Sequence, residues 1–331
     1  MARLLFFLPG IAILVAWAAW SGSGSEEVPE DSPPRPTPVR HADAPDPVPS
    51  TNSPDAAFTD TTGFRRMGKP KPGEWLDRHD EPGQTFRQYV AERPIRATSD
   101  CNVLSFAPAG TFRPEEATVA GASFRFAGIW FGLAMRVLDP IELPGGENHR
   151  RKRFRYLPEP VDQYRTHWFL DRALPRLLSE DSVMLAAVTA ADLYPSDDWE
   201  YVFGMAHLRR RVGVYSIARY FPRFWGKKAE PGDHEQALRR ACKLVTHELG
   251  HCFGLRHCIE WECGMNGSNS LEESDGRPIH LCPVCLKKLR WNLGFDVIER
   301  YRRLHGFYDA HGLTAEAEWV ERRIDRIEAA R

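Results

Sequence analysis

Apolar positions divide the chain into three stretches. Leu4 to Trp20 is one continuous apolar run, "LLFFLPGIAILVAWAAW". From Ser21 to about Gly73, Pro, Ser, Asp and Thr dominate, and there is too little aromatic or branched apolar surface to offset chain entropy on folding. Residues 21–80 are therefore expected to be a disordered, Pro-rich linker, with residues 81–331 forming the folded part.

Within that part the pattern changes from strand-like to helical. Residues 102–106 and 183–188 are compact apolar runs, and 124–138, 201–203 and 212–217 are rich in aromatic and branched residues; all five stretches predict strands. Residues 163–179 carry apolar side chains near helical spacing, with Pro175 bending or ending that helix. A long amphipathic helix follows, its start marked by Asp233 and Gln236 in the manner of a capping box. Leu238, Cys242, Val245, Leu249 and Cys252 form its apolar stripe, and Gly254 ends it. Residues 284–293, 296–305 and 315–329 predict three more helices. The order implies an α+β fold, with an α+β subdomain over about 81–255 and a mostly helical one over about 256–331.

Composition changes this picture at two points. The formal charge of −1 and a pI near 6.9 leave no electrostatic footprint for nucleic acid. The apolar run of 17 residues is long for a signal-peptide core and short for a membrane span of about 20 residues. Residues 1–20 are expected to be a signal peptide or a signal-anchor, with residues 4–20 as a membrane tether in the second case. Either places the folded part outside the cytoplasm, exported or membrane-anchored.

The candidate chemistry is concentrated in "HELGHCFGLRHCIEWECGM", residues 247–265. His247 and His251 stand four residues apart on one helix face, where two imidazoles can bind one zinc ion, with Glu248 beside them. Gly254 lets the chain reverse so that His257 can complete a three-nitrogen set, leaving a fourth position for water. Cys258, Cys263, Cys282 and Cys285 form two close pairs suited to a closed Cys₄ zinc site; two disulfides are the competing reading. Cys242 and Cys252 read as small buried apolar residues, and Cys101 as a strand-start cysteine rather than a latency switch.

His247-Glu248-x-x-His251-x-x-Gly254-x-x-His257 resembles the extended zinc signature of the metzincin metallopeptidases, and Met265 resembles the methionine of their Met-turn. Cys258-x₄-Cys263-x-Met265 followed by Cys282-x-x-Cys285 is similar to one branch, the archaemetzincins, with the Met265-to-Cys282 interval about a residue shorter. The resemblance implies a small mixed twisted sheet with a backing helix and an active-site helix. It also implies two zinc ions per chain: a catalytic one on His247, His251 and His257, and a structural one on Cys258, Cys263, Cys282 and Cys285. Glu248 would be the general base and Met265 a packing element beneath the metal.

The expected activity is zinc-dependent hydrolysis of peptide bonds in a peptide or protein substrate, by a water that zinc binds and Glu248 deprotonates. A non-catalytic zinc-binding interaction module is the alternative, and the presence of Glu248 argues against it. Sequence does not separate endopeptidase from aminopeptidase action; Asp192, Asp197, Glu200 and Glu260 are all candidates to hold a substrate's free amine.

Overall fold

The computed structural model describes residues 56–153 and 157–330. The expected signal segment, residues 1–20, lies outside them, and among the described residues no helix is long and apolar enough to cross a membrane.

The main sheet has five strands: β1 (Val103–Ala109), β2 (Ala134–Val137), β5 (Ser182–Thr189), β7 (Gly204–His207) and β8 (Val212–Ser216), in the order β2-β1-β5-β8-β7. All neighbours are parallel except β7 and β8, so the sheet is mixed and ends on an antiparallel edge strand. A second sheet joins β3 (Arg150–Arg153), β4 (Val161–Arg165) and β6 (Asp192–Tyr194). All eight residues of β5 are buried: Met184, Ala186 and Val188 face one apolar cluster, while Leu185 and Ala187 face another. Burial on both faces explains why this strand reads as an unbroken apolar run rather than an alternating one.

Two helices back the larger core. One is α2 (Pro114–Phe131), which opens with proline in its first turn and closes at Gly132, φ +66°. The other is α3 (Asp233–Cys252), which packs against α2. The strands expected over 124–138 give way to the end of α2 and the short β2. The aromatic residues Phe124, Phe126, Trp130 and Phe131 are buried on several sides, so the helix lacks the polar stripe that would reveal its period. Residues 163–179 likewise divide into the end of β4 and an irregular helical stretch over 166–176 that carries Pro175. At 201–203 only Val202 forms a bridge, to Leu193, and the strand proper begins at Gly204.

In α3 the apolar stripe is buried as expected, whereas the cap differs. Gly232, φ +92°, precedes the helix, and the Asp233 carboxylate accepts the backbone N–H of Glu230 at 2.5 Å instead of capping α3. Three further helices, α4 (Pro283–Leu293), α5 (Val297–Ala310) and α6 (Thr314–Ala329), match the periodic segments of the C-terminal part.

A linker reaching residue 80 is not what the structure shows. Residues 56–80, assigned to it by their polar character, are folded as a strap across the C-terminal half. Glu262 N–H donates to Arg65 O at 2.9 Å, Met67 N–H to Glu260 O at 2.9 Å, and Trp319 Nε1 to Gly63 O at 3.2 Å. The strap continues through the short helix Trp75–Arg78 into α1 (Phe86–Ala91), where Thr85 and Gln88 cap one another. Tyr89 then hydroxyl-bonds the Phe253 carbonyl at 2.8 Å and receives Asn292 Nδ2 at 2.7 Å. Backbone pairing and a few large side chains order this segment, which is why mean composition does not reveal it.

Candidate metal centre and cleft

Helical geometry aims His247, Glu248 and His251 from the last two turns of α3. Gly254 then adopts φ +81°, with Pro94 only 2.6 Å from where a Cβ would stand, so the reversal requires glycine on two counts. The chain returns with His257, and the three rings gather with centroids 4.6, 5.3 and 4.8 Å apart.

Each ring is held through Nδ1. His247 Nδ1 meets Gly264 O at 3.0 Å, His251 Nδ1 meets Leu255 O at 2.7 Å, and His257 Nδ1 meets Glu81 Oε1 at 2.7 Å. Acceptors at all three positions fix the proton on Nδ1 and leave Nε2 free to ligate. His247 Nε2 and His251 Nε2 lie 3.0 Å apart, and His257 Nε2 is buried without a hydrogen-bond partner among the described residues. Burial, reinforced by the neighbouring imidazoles, pushes His247 well down and His251 down to about 3, so both are neutral at physiological pH. Three ring nitrogens within 4.8 Å of one another fit one zinc ion, whose ligand atoms in a tetrahedral site stand about 3.3 Å apart.

Glu248 is 1% exposed, and burial raises its carboxyl to about 8. With His247 and His257 it faces an open cleft of about 610 Å³, part of it open to solvent, walled by Trp75, Phe203, Tyr220, Leu244 and Leu271. Lys243 also lines this cleft; its ammonium donates to the carbonyls of Ser274 and Arg277, and burial lowers it to about 7.

The four paired cysteines form a second cluster with all sulphurs within 4.8 Å of one another. None of the seven cysteines is in a disulfide, and Cys258 Sγ and Cys282 Sγ are 3.7 Å apart. That separation far exceeds an S–S bond of about 2.05 Å and matches the edge of about 3.8 Å of a tetrahedron with Zn–S bonds of about 2.3 Å. Cys282 N–H donates to Cys263 Sγ at 3.2 Å, and Cys285 N–H to Cys282 Sγ at 3.4 Å. Cys101 belongs to neither cluster; it lies just ahead of β1, where the Arg211 guanidinium is 3.5 Å from its sulphur.

One loop serves both clusters. Cys258 N–H donates to Met265 O at 2.8 Å, and Gly264 N–H to His280 O at 2.7 Å, while Gly264 O holds His247. Asn266 fastens the loop from inside: its Nδ2 donates to Cys258 O and Trp261 O, and its Oδ1 accepts from Cys263 N–H. Met265 is fully buried against α3.

Sequence reading did not single out Glu81, Trp75, Lys243 or Asn266. Glu81 lies 176 residues before its histidine, beyond the reach of any spacing rule. The four acids considered for an amine site fall elsewhere. Asp192 pairs with Arg219, Asp197 with Arg165, Glu200 with Arg153 and Glu260 with Arg66, and none of the four lines the cleft.

The sequence model of peptidase family M54 matches residues 178–291. Archaemetzincin-2 of Pongo abelii and archaemetzincin-2 of Homo sapiens are each 34% identical to the chain over 271 residues, covering 72% of it and 72% of the relative. A crystal structure of archaemetzincin from Methanopyrus kandleri aligns with a TM-score of 0.45 and 27% identity, covering 60% of this chain and 98% of that one. With that extent of identity to the archaemetzincin-2 proteins, the chain belongs to the archaemetzincin family of zinc metallopeptidases.

Proposed function

We propose that the chain hydrolyses peptide bonds at the histidine cluster, with His247, His251 and His257 as ligands of a catalytic zinc and Glu248 as general base. The convergence of three Nδ1-anchored imidazoles beside a buried carboxylate in a cleft carries this reading. Zinc, when bound there, would supply a lowered pKa for water and polarisation of the scissile carbonyl. Glu248 accepts the proton of the attacking water and passes it to the departing amine. Its burial keeps the carboxylate poorly solvated and therefore a stronger base than an exposed glutamate.

A second, structural zinc on Cys258, Cys263, Cys282 and Cys285 would anchor the loop that carries His257 and Met265. The arrangement is metzincin-like: an active-site helix, a backing helix, a mixed sheet and a methionine beneath the ligands. The division into an α+β part to about residue 255 and a helical part beyond it follows the same logic. Phe203, on the cleft wall, directly precedes β7, the antiparallel edge strand. An extended substrate would add to that edge through backbone hydrogen bonds. Residues 4–20 favour export or membrane tethering of this activity.

The test is a zinc count on native protein together with digestion of a peptide library. Two ions per chain and cleavage that stops on chelation support the reading. Two ions without any cleavage would make the chain a non-catalytic zinc module.

A further inference from the structure

The three histidines are not held alike. His247 and His251 are anchored by backbone carbonyls of their own loop and helix end, 17 and 4 residues away. His257 instead bonds a side-chain carboxylate, Glu81, from the N-terminal strap. This contact is enclosed: the His257 side chain is 9% exposed and that of Glu81 21%.

Glu81 is itself held in place. Its Oε1 also accepts Trp75 Nε1 at 2.7 Å. The backbone N–H of Trp75 donates to the Glu273 carboxylate at 2.9 Å, and the indole stands edge-on to His257 at 5.0 Å. A Cβ on Gly267 would lie 2.5 Å from the indole, so the loop after Met265 leaves room for this ring. The indole orients the carboxylate, and the carboxylate orients the imidazole.

We infer that Glu81 is a positioning residue for His257, and that residues 75–84 of the strap are a working part of the metal centre. This rests on the reading of the three histidines as a zinc site. An anionic acceptor at Nδ1 fixes the tautomer, makes Nε2 more basic and restrains the ring. His257 needs that restraint most, because it follows a chain reversal and lies outside the helix that fixes the other two.

The experiment uses the full chain with the cysteine site filled, titrated with Zn²⁺ against a chromophoric chelator. Co²⁺ substitution at the histidine site provides a visible spectrum as a second readout. Glu81→Ala is expected to weaken zinc binding at the histidines by about 10–100-fold and alter the cobalt spectrum, with the cysteine-site metal retained. Glu81→Gln keeps an acceptor without its charge and is expected to fall between the wild type and Glu81→Ala. Trp75→Phe leaves the carboxylate–imidazole bond and should cost less than Glu81→Ala. Wild-type affinity and spectrum in both Glu81 variants would overturn the inference, as would loss of both metals together, which would indicate a merely structural strap. If Glu81 variants weaken zinc binding but the wild type hydrolyses no peptide, the positioning role stands and the peptidase reading fails. A wild type with no zinc at the histidines defeats the metal-site reading first.

Discussion

The sulphur of Met265 lies 2.6 Å from where a Cβ on Gly250 would stand, so helix α3 and the loop beneath it meet through a missing side chain. The contact falls between His247 and His251, and any displacement there moves both rings. In an unobstructed helix interior, Gly→Ala stabilises by roughly 1 kcal/mol. Here overpacking of about 1–3 kcal/mol opposes that gain. Gly250→Ala is expected to lower stability by about 1 kcal/mol in chemical denaturation and to weaken zinc binding at the histidines. Increased stability would show that the methionine is not packed against the helix.

The hydrogen bond from Cys258 N–H to Met265 O makes the two clusters one mechanical unit. Cys285→Ser removes a ligand from the cysteine set without touching the histidines. Its expected outcome is loss of metal from both clusters in the as-purified protein, measured by elemental analysis, because the loop that presents His257 and Gly264 is no longer pinned. Retention of one zinc per chain with normal hydrolysis would show that the clusters are independent.

The two candidate ligand clusters were legible in the sequence because each set is local: residues 247–257 hold one cluster and two close cysteine pairs hold the other. Helix periodicity and one left-handed glycine are enough to bring such ligands together. The same rules fail where burial is complete or contacts are distant. Helix α2 is buried on several sides, so Phe124 to Phe131 shows aromatic density without a polar stripe and reads as strand. The strap fails for the opposite reason: its polar, Pro-containing sequence resembles linker, and Glu81 and Tyr89 meet His257 and Phe253 across more than 160 positions, as Trp75 meets Glu273. The capping-box reading of Asp233 was misled by a glycine that already turns the chain before the helix.

Lys243 gives a pH signature separable from catalysis. Burial depresses its ammonium from 10.5 to about 7, so between those values the folded chain holds fewer protons than the unfolded chain. Its contribution to stability therefore rises as pH increases above 7 and is lost as pH falls towards 7. The expected observation is that the difference in melting temperature, wild type minus Lys243→Met, grows from pH 7 to pH 9. A difference that stays constant across that range would mean that the lysine keeps its ordinary pKa.

The most direct measurement compares the wild type with Glu248→Gln for zinc content and peptide hydrolysis under identical conditions. The substitution preserves the shape of a buried side chain and leaves every proposed ligand intact. Unchanged zinc with hydrolysis reduced by at least about 10²-fold is the predicted result. Hydrolysis at the wild-type rate, with zinc still bound, would contradict the assignment of Glu248 as the base.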